Sequence, residues 1–470
     1  MQFTGIAHKI QKYLKSLLEN QEQIQEAVTA ISEAGGVAYI VGGAVRDLLL
    51  NIPIKDIDIE VHGLELNKLE SILQRFGHIN LVGKSFGVIR IYDIDIDWSI
   101  PRRDSAGRHP QVIFDPTLTI KEAFERRDLT INAMGIQILT GELVDPFNGR
   151  VDLQAGILRT PNPTLFVEDP LRFYRVMQFI SRFEMHPDTE LHELCKTMDI
   201  SNVARERIAS EFEKMILRSH KPSLGIRWLK KINRLKENLP QLDATKDIPQ
   251  DPEWHPEGDV FEHLMQSFDA AALLAYECDR DKLIVCFAAL LHDIGKSSTT
   301  NYIDGRWHSY NHESVSAQEA KKALSRVTTN HELIQTICTL IAHHMAPTQF
   351  IAQKAKPTAY KRLAHALAPQ ANLELLAQLA LADAQGKNPE RGTPLTTPIA
   401  EIELFLEYAH AAEVISHPEP PLLSGKDLLD IVKPGPELGA LVKRAYEIQL
   451  AEGITDKEAL KKRIIDLISQ

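Results

Sequence analysis

The stretch VGGAVRDLLLNIPIKDIDIEV, residues 41–61, constrains the fold more than any other part of the chain. It leaves a β-branched run, VAYIV at 37–41, turns on two glycines, continues in a helical apolar pattern and ends in the alternation KDIDIEVHG. Strand, turn, helix and strand are therefore expected in close succession. Residues i and i+2 of a strand project to one face, so Asp56 and Asp58 point the same way while the intervening isoleucine turns to the core. Two carboxylates this close repel each other. A divalent cation relieves the repulsion, and Mg²⁺, which prefers oxygen ligands, suits them. Gly42 and Gly43 let backbone N–H groups approach phosphate oxygens at a helix N-terminus, and Arg46 in the first turn is placed to reach a triphosphate. Asp97, in IDIDW, is the expected third carboxylate. Asp93 and Asp95 share its parity.

The chain of 470 residues is too long for one core, which implies two to four domains. Its longest apolar run, LIVCFAALL at 283–291, is about half of what spans a bilayer. The N-terminal segment is amphipathic with both charge signs and does not read as a signal peptide. The four cysteines include no C-x-x-C pair, which argues against a zinc knuckle or a disulfide framework. A cytoplasmic protein without membrane association is expected. The net charge of −11 argues mildly against a nucleic-acid partner, but ten Lys or Arg against three Glu between Arg205 and Lys236 form a basic stretch that can follow a phosphate backbone.

Residues 5–34 read as helix stopped by Gly35-Gly36, and 37–150 as mixed α/β around a small sheet, with FGVIRIYDIDIDWSI (86–100) as one long strand. Residues 152–236 read as almost wholly helical. A Pro/Asp/Gly-rich linker at 239–258 leads to a histidine-rich helical region from Val260 to Ala384. A second breaker at 386–398 precedes a last helical segment. The expected domains are an N-terminal helix (1–36), a head (37–150), a neck (151–238), a body (239–385) and a tail (386–470). In the body, His292-Asp293 ends a buried apolar run, a costly position unless the pair is partnered or metal-bound.

The order G-G-x-V-R-D then K-D-x-D resembles the tRNA nucleotidyltransferases, or CCA-adding enzymes, and the bacterial poly(A) polymerases, the second class of polymerase-β-like nucleotidyltransferases. IDWSIPRR (96–103), ERRDLTINAM (125–134), VDPFNG (144–149), VEDPLRFYRVMQFISRF (167–183) and ARERIASEFEKMI (204–216) resemble further motifs of that family in the family's order. The resemblance covers nearly the whole chain. It implies a polymerase-β-like α/β head with an extended all-α neck, body and tail, acting on tRNA with CTP and ATP, with Mg²⁺ held by Asp56, Asp58 and Asp97. It implies that Asp128 with Arg127 contacts the ribose, that Arg126 and Asn132 support that site, and that Arg175 belongs to the nucleotide-binding set. It also implies that Asp169 and Arg172 read the base. Three apart, they would share a helix face, and acceptor plus donor match the edges of C and A but not G and U. Sibling specificities are CC-adding, A-adding and poly(A) synthesis; the segment 104–120 would be the loop that helps the switch from C to A.

His263, His292-Asp293 and Asp383 resemble the H…HD…D order of the HD phosphohydrolases, with His312 and His343 or His344 completing a two-metal version. Such ligands suit a transition metal such as Ni²⁺ or Mn²⁺ better than Mg²⁺. The resemblance implies hydrolysis of a phosphomonoester or cyclic phosphate, as in CCA-adding enzymes whose HD domain has phosphatase, nucleotidase and cyclic phosphodiesterase activity. An HD phosphohydrolase as the main activity is the alternative of another class. The tail at 420–459 is similar to the family's C-terminal segment and implies a platform for the tRNA elbow.

Overall fold

The computed structural model describes residues 5–20, 22–82, 87–92, 94–104, 112–390 and 392–468. It divides into two compact units, Met1–Arg207 and Ile208–Gln470.

The strands of the head, within the first unit, are β1 (Val37–Val41), β2 (Ile57–His62), β3 (Ile79–Val82), β4 (Val88–Ile91), β5 (Ile96–Ser99), β6 (Arg102–Asp104), β7 (Val112–Phe114), β8 (Gly135–Gln137) and β9 (Leu143–Val144). Seven of them form one sheet in the order β3-β4-β5-β2-β1-β8-β9, and β6 and β7 pair apart. Only β2 and β5 run parallel; the other neighbours in the sheet are antiparallel. The mixed α/β head is as the sequence implied. Helices Ile6–Asn20 and Glu22–Glu33 bury Ile10, Leu14, Ile24, Val28 and Ile31 at helical spacing.

Three details of the head and neck correct the sequence reading. FGVIRIYDIDIDWSI is not one strand. It folds back on itself, so that Ile89 lies opposite Trp98 and Arg90 opposite Asp97. The alternation continues through the reversal and hides it; Asp95, of a residue type that favours turns, marks it. Secondly, Asp169 is not on the neck helix, which runs Leu171–Phe183 after the N-cap Pro170. A residue before proline is driven out of the α region. Thirdly, the neck is not all-α: Ile157–Leu158 pairs in parallel with His186–Pro187.

The second unit is largely helical. Its central helix, Val260–Leu273, has thirteen of fourteen residues buried, which puts His263 and Asp269 in the interior. It packs against Asp279–Leu291 and Leu373–Gln385, and Asp279–Leu291 also packs against His331–His343. The tail encloses its own small core of Leu423, Leu428, Leu441, Ala445, Leu460 and Ile464. One expectation fails here: the body is not helical throughout. Thr300–Ile303 and Arg306–Ser309 form an antiparallel hairpin, turning on Asp304 (φ 51°) and Gly305 (φ 83°). The dipeptide Asp-Gly between β-formers is the signal for such a turn. Among the described residues no helix is long and apolar enough to cross a membrane.

Asp269 supplies a pH prediction. Its carboxylate accepts from the Ser223 backbone N–H (2.8 Å) and hydroxyl (2.6 Å) at the start of helix Ser223–Lys231. Burial raises its pKa to about 7, although Ser223 and Arg227 pull the other way. The unfolded chain loses this proton near pH 4 and the folded chain near pH 7. The stabilisation is therefore complete below pH 4 and is lost as pH rises to 7, by roughly 4 kcal/mol. Urea unfolding of wild type and Asp269→Asn between pH 4 and 8 should show that slope in the wild type alone.

Candidate functional site

In the head, the parallel pairing of β2 with β5 sets Asp58 directly beside Asp97. Asp56 stands just before β2, exposed like Asp58, while Ile59 is fully buried. Partial burial against the sheet, then the charges of Asp97, Asp56 and Glu60, raise the Asp58 pKa; Arg127 opposes them. A cation would relieve the crowding of charge around Asp58, and an all-oxygen donor set suits a hard divalent ion. Asp97 also accepts from Arg90 Nε at 2.6 Å. Asp95 lies 3.6 Å from Arg90 on the β4–β5 turn, and Asp93 is outside the described residues.

The glycine turn serves a different contact from the one expected. Gly42 has φ 72°, and its N–H is already given to the Met134 carbonyl (3.1 Å). A Cβ there would stand 2.7 Å from Arg127 Nη1, so glycine lets that guanidinium lie across the turn. Gly43 opens the helix Gly43–Leu50. Arg46 is buried rather than turned to solvent. It donates to Asp47 (2.9 Å) and Asn132 (2.5 Å) and lies over the rings of Phe179 and Phe183.

A capping box between Thr119 and Glu122 starts the helix Ile120–Glu125 that delivers Arg126, Arg127 and Asp128. Asn132 continues the buried network by donating to Asp128 (2.9 Å), whose other oxygen takes Arg175 Nε at 2.6 Å. Burial would raise the Asp128 pKa, but Arg175 and Asn132 hold it at about 2, so the carboxylate is ionised. Arg172 donates to the carbonyls of Leu165 (2.7 Å) and Arg126. Asp169 accepts the Leu171 N–H and lies 3.3 Å from Arg207. The structure thus joins Arg46, Asn132, Asp128 and Arg175 in one network and sets Asp169 and Arg172 in the adjoining turn, where the Arg172 N–H meets the Asp169 carbonyl.

The body brings the histidines together. His263 Nε2 is 3.1 Å from His292 Nε2 and from Asp383 Oδ1. Asp293 links this group to a second one: Oδ2 is 3.5 Å from His292 and 3.6 Å from His263, and Oδ1 is 3.1 Å from His312 and 3.7 Å from His344. His263/His292/Asp293 and Asp293/His312/His344 each converge as metal ligands do. His343 belongs to neither group among the described residues, so His344 is the member of that pair brought to the site. Nδ1 of His292, His312 and His344 faces the carbonyls of Ala289, Ser309 and Ile341 at 2.7–3.0 Å, which leaves each Nε2 as the ligand atom. Burial pushes His292 to about 4 and His344 to about 3, so both are neutral and able to ligate. Burial would lower His263 too, but Asp383 and Glu257 raise it to about 9; a cation would take the place of that proton. Imidazole and carboxylate converging twice on a shared Asp fit a pair of divalent metal ions.

Sequence reasoning missed several participants. Glu60, third in the D-x-D-x-E alternation, is buried and lies 3.7 Å from Arg126 and 3.4 Å from Arg127. Glu257 accepts from His255 Nδ1 (2.9 Å), and the same oxygen lies 2.8 Å from His263 Nδ1. Lys296 reaches Asp293 Oδ2 at 2.7 Å and Lys387 reaches Asp383 at 3.3 Å. The spacings D-x-x-K and D-x-x-x-K, one helical turn each, were the available signal for the lysines.

Residues 38–159 match the model of the poly A polymerase head domain, and 260–384 that of the HD domain. The multifunctional CCA protein of Pasteurella multocida is 35% identical over 306 residues, 63% of this chain and 70% of that protein. That of Burkholderia pseudomallei is 36% identical over 275 residues, 56% and 64% of the two chains. The Thermotoga maritima CCA-adding enzyme complexed with tRNA has the same fold, with a TM-score of 0.57 over 96% of this chain and 95% of that one at 21% identity. An apo CCA-adding enzyme aligns with a TM-score of 0.61 over 96% and 98% at 20% identity.

Proposed function

This chain belongs to the class II nucleotidyltransferases of the CCA-adding family that carry an HD domain, and from that premise we propose that it adds CMP and AMP from CTP and ATP to the 3′ end of tRNA. The observation that carries this reading is the placement of Asp58 beside Asp97, with Asp56 just ahead, on a sheet face bordered by Arg126 and Arg127. Asp56, Asp58 and Asp97 would hold Mg²⁺, which when bound lowers the pKa of the primer 3′-hydroxyl and neutralises charge on the triphosphate. Asp128, Asn132 and Arg175 form a rigid wall for the ribose. Arg46, anchored to Asp47 and Asn132, fixes that wall to the helix behind the glycine turn. Asp169 and Arg172 offer acceptor and donor to the base, and both remain partly accessible. In the second unit the exposed cations Arg218, Lys231 and Lys236 would follow the acceptor-stem phosphates, so tRNA affinity should fall with salt.

Full CCA addition is preferred to its sibling specificities because the segment 104–120 is present; residues 105–111 of it lie outside the described residues. The test supplies Mg²⁺ and tRNAs ending at the discriminator base, at C or at CC, with each NTP singly and then CTP with ATP. Two C additions followed by one A support the reading. A poly(A) tract, or arrest after CC with both nucleotides present, replaces it with a sibling.

A second reading is carried by Asp293, shared between two histidine clusters. The body would hydrolyse phosphomonoesters or cyclic phosphates, and His263, His292, Asp293, His312, His344 and Asp383 are the residues that would hold a transition metal such as Ni²⁺ or Mn²⁺ for it. Such an ion, when bound, makes its water a nucleophile near neutral pH. In such a hydrolysis a water oxygen would form the new P–O bond as the ester P–O bond breaks, and the leaving alkoxide would take up the proton. Lys296 and Lys387 hold Asp293 and Asp383 in place.

A further inference from the structure

The hairpin Thr300–Ile303/Arg306–Ser309 is rooted in the two-cluster site at both ends. Lys296, on Asp293, opens the short helix Lys296–Thr299 that runs straight into Thr300. The Ser309 carbonyl lies 2.7 Å from Nδ1 of His312. Thr300 and Ser309 are paired across the hairpin, and their hydroxyls meet at 2.8 Å. Two residues outward on the same face, Tyr302 is paired with Trp307. Their rings touch with centroids 4.9 Å apart and planes at 60°, yet Tyr302 is 61% and Trp307 36% exposed. The other face is anchored differently: Arg306 is tied to Asp251 and Glu253.

We propose that Tyr302 and Trp307 form a stacking platform for the nucleobase of a mononucleotide whose phosphate lies at the histidine–aspartate clusters. This rests on the hydrolase reading of the body. Only His308 separates Trp307 from Ser309, so the platform stands two strand steps, roughly 7 Å, from the residue whose carbonyl orients the candidate ligand His312. Aromatic faces stack on any base without reading its edge, so the platform raises affinity for nucleotides over simple phosphates with little base preference. A polynucleotide would need a track of positive charge along its backbone. Here the neighbouring charges include Asp251, Glu253 and Asp304, and Arg306 is already paired, which favours a single nucleotide over a strand.

The test uses the full chain loaded with Mn²⁺ or Ni²⁺. Substrates are a 2′,3′-cyclic mononucleotide, the base-free ribose 2′,3′-cyclic phosphate, and an RNA ending in a cyclic phosphate. Tyr302→Ala/Trp307→Ala should raise KM for the mononucleotide on the order of tenfold with little change in kcat. Trp307→Phe should restore it, and the bound-metal content should be unchanged. An equal KM rise for the base-free sugar, no rise at all, or a rise confined to the RNA overturns the proposal. If the wild type hydrolyses none of the three, the hydrolase reading has failed on its own. The platform is then judged by quenching of Trp307 fluorescence: quenching by the mononucleotide but not the base-free sugar, lost in Trp307→Phe, supports it, and no quenching overturns it.

Discussion

Asp56→Asn and Asp58→Asn should each lower nucleotide addition to tRNA by roughly three orders of magnitude while leaving the head folded. A carboxylate that holds the ion supports several kcal/mol of transition-state charge stabilisation, and about 4 kcal/mol corresponds to a thousandfold. The fold should not suffer, because both side chains are exposed and the backbone pairing of β2 with β1 and β5 does not depend on them. Neutralising Asp58 also removes repulsion from Asp97, Asp56 and Glu60, so thermal unfolding should stay level or rise slightly. Asp97→Asn should cost less, since Asp97 is already held by Arg90 at 2.6 Å. The same crowding gives a pH signature. Because the Asp58 pKa is raised, Mg²⁺ must displace a proton at pH values where an ordinary carboxylate is already ionised. Lowering the pH should weaken addition, and extra Mg²⁺ should restore it. Single-turnover incorporation of CTP on tRNA ending at the discriminator base measures all of this. A loss of less than tenfold in Asp58→Asn would overturn the assignment.

Much of the head was legible because its signals are local. The alternation around Asp56 and Asp58 fixes a face, and a face is all that convergence with Asp97 requires once β2 and β5 lie side by side. The reversal between β4 and β5 was not legible, since alternation has no direction and reads the same through a hairpin. The environment of Arg46 was hidden for a different reason: its burial depends on Phe179 and Phe183, more than a hundred residues away in sequence. Glu60 was overlooked because an acidic residue late in a strand reads as exposed, whereas two arginines and His62 compensate its burial. In the body the ligand order H…HD…D was readable, but the choice of His344 over its neighbour His343 is set by helix phase at the end of His331–His343. Glu257 and His255 lay in what read as a linker, where no periodicity marks a residue as buried.

Asp293→Asn should empty both clusters of metal at once and abolish phosphate-ester hydrolysis, while CCA addition persists. One carboxylate serves two groups: Oδ2 faces His263 and His292, and Oδ1 faces His312 and His344. Burial would raise its pKa, but Lys296, His292 and His312 hold it well below the usual carboxylate range, so it enters the site as an anion. An amide keeps the shape and loses the charge. Lys296 then keeps a buried ammonium whose 2.7 Å partner is neutral. Breaking such a pair from one side costs about 3–5 kcal/mol, and the unfolding midpoint of the second unit should fall accordingly. His344→Gln discriminates a bridged pair of ions from two independent sites. It touches one cluster only, so it should lower the metal content without emptying the site, and His343→Gln should change neither metal content nor hydrolysis. Elemental analysis of the purified variants, paired with hydrolysis of a cyclic mononucleotide, reads each of these outcomes. An Asp293→Asn protein that retains its full metal complement would show that the two clusters do not share their ligand.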